Sequence, residues 1–109
     1  MAILKNKAGN FITPSLESTS AAAEGVTFPE DLRFSVSNSD GAQAYPIAGA
    51  TWILVFDEMK DATKVEALKG WLTWSLNDGT AIAEELGYAP LSEELKALAS
   101  EKIDAISSF

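Results

Sequence analysis

The segment Ala50-Thr51-Trp52-Ile53-Leu54-Val55-Phe56 constrains this chain more than any other, because it is apolar on both faces of an extended strand. A strand that alternates apolar and polar residues can sit at a solvated sheet surface. One without alternation belongs inside a sheet covered by helices on both sides. Such a strand needs ladder neighbours, and the rest of the 109 residues offers almost none. Only Leu32, Phe34 and Val36, alternating with Arg33, Ser35 and Ser37, have the period of a short half-buried strand. The sequence therefore predicts an α/β chain with an inner strand whose partners are missing, and self-association as a hazard of the exposed edge.

The helices flank this strand. Residues Lys5 to Asn10 read as a loop between short apolar pieces. Thr13 as N-cap and Pro14 at the first helical position then open a helix through Leu16, Ala21 and Ala22 that ends at Gly25. Its Ser-rich face, Ser15 to Ser20, reads most simply as solvated, and more sharply as a hydroxyl grip on phosphate. Asn38-Ser39-Asp40-Gly41 is a turn signal, and Gly41 to Pro46 an extended connector. Beyond the strand the chain reads as helical to its end. Asp61 caps a helix whose Val65, Leu68, Leu72 and Leu76 form one stripe, widened by Trp71 and Trp74. Burial in a core is the simpler reading of that Trp pair; a sugar or base platform is the sharper one. Asn77-Asp78-Gly79 breaks this helix. A second stops at Gly87, and Ser92 caps a third with Glu93 and Glu94 at its positive end and Leu95, Leu98, Ile103 and Ile106 on its face.

Charge and missing residue types exclude several functions. A net charge of -8 argues against nucleic acid and anionic lipid, both of which are held mainly by Lys and Arg. With no Cys and no His, there is no disulfide, no thiol nucleophile, no zinc site of the usual ligands and no His-assisted triad. No spacing marks a carboxylate, Ser–Lys or Tyr set, so no catalytic residue, metal ligand or cofactor site is assigned and an enzyme is not expected. Met1 to Lys5 lacks the form of a signal peptide, and the apolar run Trp52 to Phe56 is too short to span a bilayer.

Three ordered stretches carry a resemblance. Ala44-Tyr45-Pro46-Ile47-Ala48-Gly49-Ala50-Thr51-Trp52-Ile53-Leu54-Val55 resembles a signature of the periplasmic phosphate-binding receptors of ABC-type phosphate importers. The stretch from Lys69 to Leu91, ending Leu86-Gly87-Tyr88-Ala89-Pro90-Leu91, is similar to the family's next segment. The opening, Leu4 to Phe11 followed by Thr13-Pro14-Ser15, looks like the one before. The resemblance covers nearly the whole chain and implies the C-terminal third of such a receptor.

The implied fold is the type II two-lobed periplasmic binding protein, with ligand clamped between α/β lobes. Residues 1–40 would end the second lobe and 41–49 would be the last hinge crossing, with Tyr45, Pro46 and Ile47 as structural hinge residues. Residues 50–109 would add one inner strand and the closing helices to the first lobe. The groups that hold phosphate in this family lie in the earlier two-thirds, so no phosphate-binding residue is assigned here. Ser37 to Gly41 only superficially resembles such a loop, and Arg33, the sole Arg, suits a surface or lobe-interface role. Phosphate, bound through the missing part, and the permease subunits are the implied partners, and the periplasm is the implied compartment. A receptor fragment for sulfate or molybdate, and a small acidic helical domain docking a protein through Trp71 and Trp74, are the alternatives.

Overall fold

The N-terminal residues fold back on themselves. In the computed structural model, which describes residues 1–109, β1 (Leu4–Lys5) pairs antiparallel with β2 (Phe11–Ile12), placing Leu4 opposite Ile12. The turn between them closes through Asn6 N–H to Asn10 O at 2.8 Å, with Gly9 at φ +91°, a conformation open to glycine. What the sequence offers as a loop is thus a tight hairpin.

Helix α1 spans Leu16–Ser20 and continues as a 3₁₀ turn over Ala21–Ala23. Its N-cap is Ser15, two residues later than the Thr13 expected. Ser15 Oγ accepts from Ser18 N–H, while Ser18 Oγ accepts from Ser15 N–H, so one reciprocal box satisfies two helix-end donors. Gly25 does lie in the left-handed region just beyond, at φ +73°.

The next stretch departs most from expectation. Leu32 to Val36 shows the anticipated burial alternation but belongs to no sheet, and Leu32 itself sits at φ +55°. The turn falls at Ser37–Asn38, at the leading edge of the Asn38–Gly41 stretch expected to turn, with Asn38 at φ +48°. The connector after Gly41 is a turn rather than extended, closed by Ala44 N–H to Gly41 O at 3.1 Å.

The inner strand is likewise unformed. No backbone hydrogen bond involves residues 50–56, and Ile53, Leu54 and Phe56 are exposed. The composition of a central strand survives, but the ladder does not, because no other segment here comes alongside.

The C-terminal part follows the sequence closely. Asp61 accepts from Thr63 N–H and Lys64 N–H to start α2 (Ala62–Leu76); α3 spans Thr80–Glu85; Ser92 accepts from Leu95 N–H to start α4 (Glu93–Ala105). After α3, Tyr88 N–H reaches Ala83 O and Gly87 N–H reaches Glu84 O, with Gly87 at φ +86°, a Schellman close. The chain is not helical to its last residue: β4 (Ser107–Ser108) pairs in parallel with β3 (Glu58–Met59). The ammonium of Lys69, on α2, donates to Asp104 O and Ile106 O at the end of α4, where a cation meets the negative end of the helix.

Two small cores result. Val65 and Leu72 pack with Ile103 and Ile106, backed by Met59, Leu68 and Leu76; separately, Ala22, Val36 and Ala44 pack with Val26 and Phe34. Trp71 and Trp74 join neither and stay about half exposed, against the expectation of burial. They lie on the flank of the α2 stripe, and no element covers that flank.

The result is an open structure. Its radius of gyration is 16.0 Å, where a compact domain of this length has about 13 Å. Its accessible surface is 7533 Å², against roughly 5,800 Å² for a compact monomer of this mass. No helix is long and apolar enough to cross a membrane.

Candidate functional site

Residues 41–46 are held from both sides by the N-terminal half. Asn6 is buried, and its Nδ2 donates to the carbonyls of Ala42 at 3.0 Å, Ala44 at 3.1 Å and, more weakly, Gly41 at 3.3 Å; its Oδ1 accepts from Asn10 N–H. Asn10 Nδ2 adds a second bond to Ala42 O. Gly41 in turn lies close against the 3₁₀ turn: a Cβ there would be 2.7 Å from Ala21 O. Sequence reasoning missed Asn6. Its only signal is an Asn ahead of a Gly-Asn turn, which predicts a turn and says nothing of a bond reaching 38 residues along the chain.

The three residues expected at the hinge follow directly. Tyr45 N–H donates to Ser18 O at 2.9 Å, and its phenol donates to Ala2 O at 3.0 Å. Pro46 O accepts from Asn38 N–H at 2.8 Å, while the Ile47 side chain projects into solvent. From Gly41 to Phe56 there is no charged residue, and Asp40 and Asp57 bound the stretch.

Ala50 to Ile53 and Val55 then form one wall of an apolar cleft of about 500 Å³; Leu72, Leu76, Leu95 and Ile103 from α2 and α4 form another, and Phe34 and Val36 a third. Trp52 spans it, donating from Nε1 to Leu32 O at 2.9 Å and meeting Phe34 edge to face at 5.6 Å. Lys102 is the only charged lining residue, and it lies 3.8 Å from Glu30. An apolar occupant suits this cleft; a dehydrated anion does not.

The remaining anion candidates are occupied by the chain itself. Ser15, Asp61 and Ser92 cap α1, α2 and α4 with their own side chains, and Glu93 and Glu94 add negative charge at the start of α4. The Ser-rich helix face spends Ser15 and Ser18 on the capping box, with Ser18 Oγ also donating to Thr13 O. Arg33 N–H and Nε donate to the two oxygens of Asp31, and hold that carboxyl below its ordinary pKa. In the loop from Ser37 to Gly41, Asp40 pairs with Lys7 at 2.6 Å, and Ser39 Oγ is buried without a partner.

The chain combines helices with two short two-stranded pairings and leaves an apolar cleft open to solvent. Comparison with known proteins gives the family. No family model matches the chain. It is 35% identical over 94 residues to the phosphate-binding protein PstS of Xylella fastidiosa strain 9a5c, covering 84% of this chain and 26% of that protein. It is 33% identical over 96 residues to PstS of Pasteurella multocida, covering 86% and 28%. Against PstS of Methanocaldococcus jannaschii it is 31% identical over 121 aligned positions, covering 97% and 31%. Along this stretch the chain belongs to the phosphate-binding protein family. It spans about a quarter to a third of the length of the curated relatives it matches.

Proposed function

We propose that this chain is the C-terminal segment of a phosphate-binding receptor that feeds an ABC-type importer in the periplasm, and that it does not hold phosphate by itself. Residues 1–40 end one lobe, 41–49 form the last crossing with Tyr45, Pro46 and Ile47 at the hinge, and 50–109 bring an inner strand and closing helices to the other lobe. The observation that carries this reading is the apolar segment Ala50–Phe56, unpaired and opening on an apolar cleft. Such a surface is made for neighbouring chain rather than for an anion. The side-chain caps of α2 and α4, and the pairing of Arg33 Nε with Asp31, support the second half of the reading, because these groups are already engaged within the chain.

Phosphate is preferred over sulfate or molybdate because the matched relatives are named as phosphate-binding proteins. In the whole receptor the role of this segment is conformational. A crossing tied down by Asn6 biases the open–closed equilibrium, and so the affinity, without touching ligand.

Calorimetric titration of the 109-residue chain with phosphate, with sulfate as control, is expected to give no heat of binding. Saturable phosphate binding would overturn the claim that it is incompetent alone. Replacing the matched stretch of the Xylella fastidiosa protein with this chain is expected to leave a receptor that binds phosphate. A folded chimera that binds none would overturn the receptor assignment.

A further inference from the structure

Residues 41–48 are tied repeatedly to the chain that precedes them. Asn6 holds Ala42 and Ala44, Tyr45 N–H donates to Ser18 O and its phenol to Ala2 O, and Pro46 O accepts from Asn38 N–H. Pro46 fixes its own φ and keeps Tyr45 out of the helical region. The last tie falls on Ala48, whose carbonyl accepts from Ser37 Oγ at 3.0 Å and whose side chain packs on the core of Ala22, Val36 and Ala44. There the ties stop. Gly49 is exposed, makes no backbone hydrogen bond, and has nothing within 4 Å of where a Cβ would stand.

The same point divides the molecule. No main-chain hydrogen bond joins residues 1–48 to residues 50–109. The polar contacts between them use side chains: Trp52 Nε1 to Leu32 O at 2.9 Å, Ser20 Oγ to Pro90 O at 3.4 Å, and Lys102 to Glu30 at 3.8 Å. The two cores separate there as well, with Ala22, Val36, Ala44 and Ala48 before Gly49, and Val65, Leu72, Ile103 and Ile106 after it.

We propose that Gly49 is the pivot of this crossing in the open–closed movement of the receptor, and that residues 1–48 turn as one rigid arm. Tyr45, Pro46 and Ile47 then travel with the arm without bending, and Gly49 absorbs the change in φ and ψ. Glycine suits that position, because without a Cβ it crosses backbone regions that are closed to other residues. Gly49 touches no ligand. It is a positioning residue for phosphate binding, acting through the balance of open and closed states.

This inference rests on the receptor reading, and its test keeps the two apart. The Xylella fastidiosa protein carrying this chain in place of its matched stretch is spin-labelled at Glu17 and Ile47, or at Glu17 and Glu101, all exposed positions. Phosphate is expected to leave the first distance unchanged and to shift the second. Gly49→Pro, which locks φ, is expected to change phosphate affinity by about tenfold and to reduce that shift. Gly49→Ala, which leaves φ free to vary, is expected to stay within about threefold of the parent. An Ile47 label that moves relative to Glu17 on phosphate binding would put the bend before Ala48 and overturn the pivot, with the receptor reading intact. A Gly49→Pro receptor that binds and moves like its parent would do the same. A folded chimera that binds no phosphate would overturn the receptor reading, and the pivot with it.

Discussion

The side-chain amide of Asn6 donates to the carbonyl of Ala44 at 3.1 Å and ties the N-terminal hairpin to the Gly41–Pro46 segment, 38 residues away at Ala44. The same nitrogen serves Ala42 O, and Oδ1 accepts from Asn10 N–H, so both the donor and the acceptor of this buried amide are engaged. Asn6→Ala strands the Ala44 carbonyl and the Asn10 N–H, while Ala42 O keeps its bond from Asn10 Nδ2. The expected loss is about 1–3 kcal/mol, read as a lower denaturation midpoint with faster amide exchange at Asn10 and Tyr45. Asn6→Asp, which replaces the donor by an acceptor facing those carbonyls, is expected to lose at least as much. An unchanged midpoint in both variants would remove Asn6 from this role.

Gly41 and Gly49 bracket the uncharged turn segment that carries Tyr45, Pro46 and Ile47, and make a matched pair. A Cβ at Gly41 would lie 2.7 Å from Ala21 O and 3.2 Å from Ala44 Cβ, whereas one at Gly49 meets nothing within 4 Å. Gly41→Ala is expected to destabilise by about 1–3 kcal/mol through forced backbone displacement. Gly49→Ala is expected to stay within about 1 kcal/mol of the parent, and to gain slightly from reduced freedom of the unfolded chain. Thermal melts of the two variants, run together, read the difference directly.

Asp31 is the residue whose acidity the fold shifts. Arg33 N–H donates to its Oδ1 at 3.0 Å and Arg33 Nε to its Oδ2 at 2.7 Å, and both bonds favour the charged form. A folded pKa below the unfolded one contributes stability above the ordinary carboxylate range, and that contribution is lost as the pH falls through the lowered value. Both side chains are exposed, so the contribution is small. In a carboxyl-carbon NMR titration, Arg33→Ala is expected to raise the Asp31 midpoint only part of the way to normal, because the backbone N–H remains. A midpoint that does not move would show the guanidinium to be irrelevant.

Tryptophan emission separates core from surface on α2. Trp52, Trp71 and Trp74 are 47%, 52% and 46% exposed. All three are expected to be quenched by acrylamide and to emit toward the red. Trp52 is additionally held by its Nε1 bond to Leu32 O, so Trp52→Phe is expected to leave the quenching of the remaining emission unchanged. A strongly blue-shifted, quench-resistant signal from Trp71 and Trp74 would mean that α2 is covered on both flanks.

What the sequence determined by itself is the set of features whose partners lie within one helical turn. Asp61 and Ser92 cap donors two or three residues on, Gly87 closes α3 by bonds three and five residues back, and the stripe from Val65 to Leu76 follows from the rise of the helix. These bonds form wherever the local residues allow them. The ordered likeness to phosphate-binding receptors was equally legible, since it needs only residue order.

Other outcomes depended on what distant residues bring alongside, and only the tertiary structure decided them. Ser15 displaced Thr13 as the cap of α1 because Ser18 completes a reciprocal box with Ser15. Asn6 became the tie to the Gly41–Pro46 segment because the hairpin lands on Ala42 and Ala44. Trp71 and Trp74, apolar enough for a core, stayed half exposed because burial requires a cover on that flank. Ala50–Phe56 has the composition of a central strand and forms no ladder. A ladder is a relation between two segments, so composition sets the capacity to pair, and the presence of a second strand decides whether pairing occurs.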